Sequence, residues 1–487
     1  MATLEPLDAG DLAGLRPYVV DLTGGELSGD GAFKTTPADV DAIFDVHLPG
    51  FLATAQRHPA PLVIWAHGGL VDELSGLQIA RNQVGWWLRN GAYPLHFVWE
   101  GGLLDALQQA VGPGGARDLW DHTTDPLVES AVRPLGRLAW AAMKNSSSVA
   151  SQPGGGARYV AERLRDFCAA RPGAITLHAV GHSAGSIFQA HFLEAARELG
   201  VPPFTSLQLL APAIRVDAFE QLVLPRIPDY VEALTVFTMR RELERDDTCL
   251  GVYRKSLLYL VSRALESARE TPVLGLEDSM VADAALSRLF DHPAGVGSAE
   301  IVWSRSPAGA PARSRSNATS HGGFDNDVDT MTSVATRIMP GSPVEPFPAA
   351  AGPARDSQEQ YAEGPAREPR RTALCVGIND YPPPNRLEGC VADAEAWAQV
   401  LSGRLGFEVV RLTDREATFD GILGRLKELV ADARAGDVLA FTYAGHGTEV
   451  PDLDGDETGG TNGNRDEAMC PVDFAAGRFL VSTTCEQ

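Results

Sequence analysis

Short apolar runs alternate with stretches of helical periodicity along the first three hundred residues. The runs at 61–66, 93–99, 174–180, 205–210, 233–239 and 300–303 are rich in β-branched, leucine and aromatic side chains, the pattern of buried strands. A further strand is expected at 18–22 and another at 272–276. Between these runs the apolar positions recur at helical spacing. The clearest case is Ile187, Phe188, Ala190, Phe192, Leu193, Ala195, Ala196 and Leu199, stopped by Gly200. Helices are likewise expected at 37–56, capped by Thr36, at 73–90 and at 253–268, with one more closing the unit near Met339. This alternation predicts an α/β fold built on a doubly wound, mostly parallel sheet. Residues 101–160 interrupt it. They read as a helical insertion carrying Trp120 and Trp140, with glycine-rich loops at 112–115 and 154–156, either a lid over a site or a surface excursion. Residues 340–370 lack periodicity, are rich in Pro, Ala, Gly and Glu, and read as a linker. A second α/β pattern begins at 371, with strands at 372–378, 407–412 and 437–443 and helices at 392–405 and 418–433.

Composition narrows the class. With 487 residues, two domains are the natural expectation, 1–339 and 371–487. A formal charge of −23 argues against nucleic acid or an anionic membrane surface as the main partner. The six cysteines form no CxxC pair and read as reduced thiols. No apolar leader opens the chain and no uninterrupted run is long enough to span a membrane, so a cytoplasmic protein is expected.

The first chemical signal is Gly181-His182-Ser183-Ala184-Gly185, set between a strand and a helix. That context turns a G-x-S-x-G match into a mechanism. Small neighbours let the turn close, Ser183 is lifted at the sheet's end, and the amide of Ala184 faces a developing oxyanion. His67-Gly68-Gly69 follows an earlier strand, where Gly68 or Gly69 would supply a second amide. A serine hydroxyl needs a base, and the base needs a carboxylate to orient it. His321, on a loop after the last strand, is the expected base. His178 and His182 are too close in sequence to turn back on the serine, and His292 is a loop alternative. Glu242, Glu244, Asp246 and Asp247 all follow the strand ending at Met239. Asp247 is the expected acid and Asp246 the next, because a short side chain at a turn holds an imidazole more rigidly. On these residues, 61–339 resembles the α/β-hydrolases. The resemblance implies cleavage of an ester, lipid, amide or peptide bond without a cofactor.

The second signal combines Gly377-Ile378-Asn379-Asp380-Tyr381, Gly389-Cys390-x-x-Asp393-Ala394, Tyr443-x-Gly445-His446-Gly447 and Asp466-Glu467-Ala468-x-Cys470-Pro471. Together these resemble the caspase and metacaspase peptidases. The resemblance implies His446 as base of a Cys-His dyad and carbonyl polarisation by the Gly447 amide. It also implies that the acidic loop 452–457, with Asp466, helps form a pocket for a basic residue or a calcium site. That loop misses the EF-hand template, since its sixth position is Glu457 and its twelfth is Gly463. The family's Asp-Cys-x-Ser-Gly turn is not met before Gln487. Cys485 lacks the strand and glycine turn, and Cys470 matches a non-nucleophilic position. The expectation is therefore a caspase-like module inactive as given, with 438–443 left as an unpaired sheet edge: a truncated reading frame, a module that a partner chain completes, or an inert one. Two readings follow: a serine hydrolase fused to a caspase-like cysteine endopeptidase module, or a regulatory protein whose second module is a binding or sensing domain.

Overall fold

The computed structural model describes residues 7–29, 31–99, 107, 125–249, 253–291, 299–348, 370–431, 437–451, 465–476 and 478–481. They form two compact units, one reaching residue 348 and the other starting at residue 370.

The first unit is built on eight strands. These are β1 (Val19–Thr23), β2 (Glu26–Leu27), β3 (Ala60–Ala66), β4 (Tyr93–Trp99), β5 (Ile175–His182), β6 (Ser206–Leu210), β7 (Leu234–Met239) and β8 (Ala299–Ser304). Their order is β2-β1-β4-β3-β5-β6-β7-β8. Every pairing is parallel except the short β2 hairpin. Strands β3, β4, β6 and β7 are buried along their whole length, as a sheet covered on both faces requires. Alternation along β3 divides its side chains between two cores. Leu62, Ile64 and Ala66 pack with Phe188 and Phe192 of the helix Gly185–Leu199, while Val63 and Trp65 pack with Trp86, Trp87 and Met331. The chain winds outward from β3 to β4 and then returns to place β5 on the other side of β3. The carboxyl ends of β3 and β5 therefore flank a topological switch point, where open α/β sheets form their sites.

Several expected elements differ. The segment 272–276 is not a strand. Its only ladder contact is the bridge Arg215–Val273: the Leu274 and Gly275 amides donate to the Ile214 and Pro212 carbonyls of the loop after β6, and Val273, Leu274 and Leu276 are buried as core filling. The helix expected at 253–268 is shorter, Leu257–Leu260 continuing as a π-turn over Val261–Leu265. The insertion resolves into the helix Asp125–Ala150, with Trp140 buried, followed by Gly156–Ala170, which leads into β5 as an ordinary crossover helix. Trp120 and 112–115 lie outside the described residues. The first part of the expected linker is packed: Phe347 is buried edge-on against Trp86, whose Nε1 donates to the Glu345 carbonyl at 2.9 Å. The rest of the linker, 349–369, lies outside the described residues.

The second unit contains β9 (Arg371–Gly377), β10 (Glu408–Thr413), β11 (Val438–Ala444), β12 (Gly447–Pro451), β13 (Arg465–Met469) and β14 (Leu480–Val481). A parallel sheet runs β10-β9-β11 and a small antiparallel sheet runs β12-β13-β14. Among the described residues β11 is an edge, and Phe441 on it is partly exposed. No helix among the described residues is long and apolar enough to cross a membrane.

Candidate active site

Strand β5 ends at His182, and Ser183 then takes a left-handed conformation with φ 53°. For a residue with a Cβ this costs on the order of 1–3 kcal/mol, and the surroundings must hold it. They do. The Ser183 amide donates to the Leu210 carbonyl at 2.8 Å, and its carbonyl accepts from the Ser186 and Ala213 amides at 3.0 Å and from Ser186 Oγ at 2.6 Å. The turn closes because its flanks are bare. A Cβ on Gly181 would lie 2.6 Å from the Gly185 carbonyl oxygen, and one on Gly185 would lie 2.2 Å from that of Ala66. The helix Gly185–Leu199 starts here, so its positive end faces the serine.

His321 opens a 3₁₀ turn, His321–Gly323, and its Nε2 lies 2.8 Å from Ser183 Oγ. Both residues are buried. Burial, reinforced by the neighbouring His182, holds the His321 imidazole well below the ordinary histidine range, which keeps it in the neutral form a base requires. Asp247 is buried and reaches the same residue, but at its main chain: Oδ2 accepts the His321 amide at 2.8 Å, while Oδ1 accepts the Thr248 amide at 2.8 Å. His321 Nδ1 is buried with no hydrogen-bond partner. The expected carboxylate–imidazole bond is thus replaced by a carboxylate–amide bond. Asp246 is corrected outright. It ends the helix Arg241–Asp246 on the exposed side, one helical step away from the face that Glu244 buries. Glu244 is fully buried, and burial, opposed by the Ser256 hydroxyl and the Met239 main chain and reinforced by the charge of Asp247, pushes its carboxyl up to about 8.

The His67-Gly68-Gly69 turn abuts this centre. A Cβ on Gly68 would lie 3.0 Å from Ser183 Cβ and 3.6 Å from Ser183 Oγ; one on Gly69 would lie 3.1 Å from Ala184 Cβ and 2.3 Å from Met143 Sδ. Only glycine lets the backbone come so near. His67 braces the turn: Nδ1 donates to the Gly68 carbonyl at 2.8 Å and Nε2 accepts the Trp99 amide at 3.1 Å. Burial lowers its imidazole to about 4, consistent with a neutral ring.

Three contributors escaped the sequence. Met143, from the helix Asp125–Ala150, lines the site beside Gly69. His182 and Asp325 are both buried; His182 Nε2 donates to the His321 carbonyl at 3.0 Å, and Nδ1 lies 3.6 Å from Asp325 Oδ2. His182 sits inside the serine motif, but its partner is set by tertiary packing. His178 is a core histidine bonded to Ser206 Oγ and Thr176 Oγ1, and His292 lies outside the described residues.

In the second unit the four motifs converge. The His446 amide donates to the Tyr381 hydroxyl at 3.1 Å, the rings of Tyr381 and His446 meet tilted by 58° with centroids 4.8 Å apart, and Tyr381 and Tyr443 both donate to the Cys470 carbonyl, at 2.7 and 2.5 Å. Asn379 Oδ1 accepts the Cys390 amide at 2.9 Å. His446 Nε2 donates to the Asn385 carbonyl at 2.7 Å. Among the described residues no thiol is hydrogen-bonded to that ring. Cys470 is buried and desolvation pushes its thiol up, so it acts as packing. Gly447 opens β12 opposite Met469, and Asp466 pairs with Val450 along the ladder. The Asp466 side chain, loop 452–457 and Cys485 lie outside the described residues. Among the described residues no group of three or more His, Cys, Asp or Glu side chains is arranged to hold a metal.

Comparison with known proteins bears on this unit. The family model "Metacaspase, peptidase C14 domain" matches residues 371–487. Metacaspase-1 of Meyerozyma guilliermondii is 40% identical over 121 residues, 23% of this chain and 28% of that protein. Metacaspase-1A of Aspergillus niger is 38% identical over 121 residues, 23% of this chain and 29% of that protein. The chain therefore spans less than a third of the length of these relatives. Among solved structures, protein GSU0716 from Geobacter sulfurreducens is 30% identical, covering 24% of this chain and 43% of that chain with a TM-score of 0.20. The C-terminal unit carries a metacaspase-type peptidase C14 domain.

Proposed function

We propose that the chain is a two-module hydrolase. Its first unit is a serine hydrolase of the α/β-hydrolase kind that cleaves an ester or amide bond through Ser183; its second is a metacaspase-type module for proteolysis. One observation carries the first half: a strained serine on a strand-to-helix turn, 2.8 Å from the Nε2 of a buried, neutral histidine. The strand order and the chain order Ser183, Asp247, His321 support the same reading. In the reaction Ser183 Oγ gives its proton to His321 Nε2 as it attacks the carbonyl. The oxyanion meets the Ala184 amide and that of Gly68 or Gly69. His321 returns the proton to the leaving group, and water then releases the acyl group by the same route. No metal or cofactor is required for these steps. Hydrolysis of a p-nitrophenyl ester tests the reading: Ser183→Ala should lower kcat by a factor on the order of 10³ or more while the protein stays folded.

For the second unit, His446 is the base and the Gly447 amide the polarising donor. A peptide-cleavage assay on the full chain with His446→Ala tests this, and Cys485→Ser tests the remaining thiol. A second reading, in which this unit is a non-catalytic binding or sensing module, is favoured by the His446 ring being engaged with the Asn385 carbonyl. Peptide cleavage lost with His446 excludes it.

A further inference from the structure

His321 is held at both of its peptide groups. Its amide is taken by Asp247 Oδ2 at 2.8 Å, and its carbonyl receives the Nε2 proton of His182 at 3.0 Å. Its own Nδ1 has no partner. A base whose ring is not tethered at Nδ1 must be aimed some other way, and fixing the peptide planes on either side of Cα fixes the direction of the Cα–Cβ bond. His182 is itself built into this arrangement. It is the last residue of β5, immediately before the nucleophile, and its other nitrogen faces Asp325 at 3.6 Å. Asp325 follows the 3₁₀ turn that His321 opens, so one imidazole spans two acceptors of a single loop, both beyond the reach of water. The rings of His182 and His321 lie nearly parallel, with centroids 5.6 Å apart.

We propose that His182 and Asp325 are positioning residues of the hydrolase site: a buried imidazolium–carboxylate pair that, with Asp247, clamps the main chain of His321 and thereby aims its Nε2 at Ser183. The proposal rests on the serine-hydrolase reading. The bond from Nε2 to the His321 carbonyl requires a proton on Nε2, while Nδ1 stands 3.6 Å from Asp325 Oδ2, too far for a hydrogen bond but close enough for the carboxylate's charge to favour a second proton there. Desolvation is the largest single influence and opposes a charge on the ring, but the Asp325 carboxylate and the bond to the His321 carbonyl together more than offset it, so His182 is raised above the ordinary histidine value. The ionisable groups facing His182 are Asp325 and His321 from the loop after β8 and His67 from the turn after β3. A cation there also discourages protonation of His321, so it widens the pH range in which the base is neutral.

The test uses the full chain with an ester substrate and active-site titration to count competent molecules. His182→Phe should lower kcat 10- to 100-fold with KM little changed, and should move the acid limb of kcat/KM to higher pH. His182→Gln, which can restore the donor to the His321 carbonyl without the charge, should recover most of kcat but leave the acid limb displaced. A role in folding alone would lower the titrated fraction and leave the limb in place. Wild-type kcat and limb in His182→Phe, with active sites intact, overturn the clamp while leaving Ser183 chemistry standing. Loss of Ser183-dependent turnover in the wild type would instead sink the hydrolase reading. A readout independent of activity guards that case: with ¹⁵N-labelled histidine, both ring nitrogens of His182 should be protonated at pH 7 and not in Asp325→Asn. A neutral His182 ring in the wild type overturns the proposal directly.

Discussion

Replacing Gly185 by alanine probes the closest approach in the site. The added Cβ would lie 2.2 Å from the Ala66 oxygen, 2.8 Å from its carbonyl carbon and 2.9 Å from the His67 oxygen. All three are backbone atoms, so no side chain can swing aside. Reaching the 3.0 Å floor for real Cβ contacts demands a shift of about 0.8 Å. Ala66 is laddered to Phe97 on one side and Gly181 on the other, which resists that shift within the sheet. The displacement therefore falls on the segment just beyond, His67-Gly68-Gly69, or on the elbow itself. Overpacking of this kind costs roughly 1–3 kcal/mol of stability. A misplacement of about 1 Å at an oxyanion donor costs on the order of 10² in kcat. Thermal unfolding by circular dichroism and ester turnover measure the two. Gly14→Ala, at a helical glycine with open space around its Cβ position, is the control and should be neutral or slightly stabilising. Gly185→Ala with unchanged melting and kcat within twofold of wild type would refute the reasoning, because the turn would then not be closed against β3.

Three further outcomes follow from the same contacts. Because His321 lies well below the usual histidine range, kcat/KM should stay on its plateau as pH falls through 6.5 and decline only further into acid, where the base protonates; a midpoint near 6.5 in a pH–rate profile contradicts the buried, neutral base. Glu244, raised to about 8, keeps its proton in the folded state while the unfolded chain has lost it above the ordinary carboxyl range. Its contribution to stability should therefore fall by roughly 1.4 kcal/mol per pH unit up to about pH 8. Glu244→Gln should flatten that slope in denaturant titrations across pH 5–8. In the second unit, Tyr381→Phe removes the acceptor of the His446 amide and a donor to the Cys470 carbonyl, and should destabilise that unit by roughly 1–3 kcal/mol in a hydrogen-exchange or melting measurement.

What the sequence made legible was geometry tied to local backbone. The Ser183 turn was readable because a buried strand, three small residues and an amphipathic helix meet there, and each imposes its own pattern. The alternation of β3 and β5 with their helices sufficed for the parallel sheet. His321 was readable from its place after the last strand. The details that failed were those set by packing. Asp247 was chosen for an imidazole it does not bond, because which of a carboxylate's neighbours it meets depends on how a loop folds over it. His182 was set aside for its nearness to Ser183, yet its ring bonds the His321 carbonyl rather than the serine. Residues 272–276 carry a strand's composition but bond to the loop 212–216 and fill a core there. Residues 344–347 looked like linker, yet Val344 and Phe347 pack into the second core of the first unit.

The central claim is that Ser183 is a nucleophile activated by His321, and covalent capture tests it most directly. The full chain is treated with a fluorophosphonate at neutral pH and digested, and the adduct is located by mass spectrometry. The account predicts one adduct, on Ser183, formed in the wild type, abolished in Ser183→Ala and slowed sharply in His321→Ala. A folded wild-type protein that takes up no probe, or that carries it on a different residue while Ser183 stays unmodified, would contradict it.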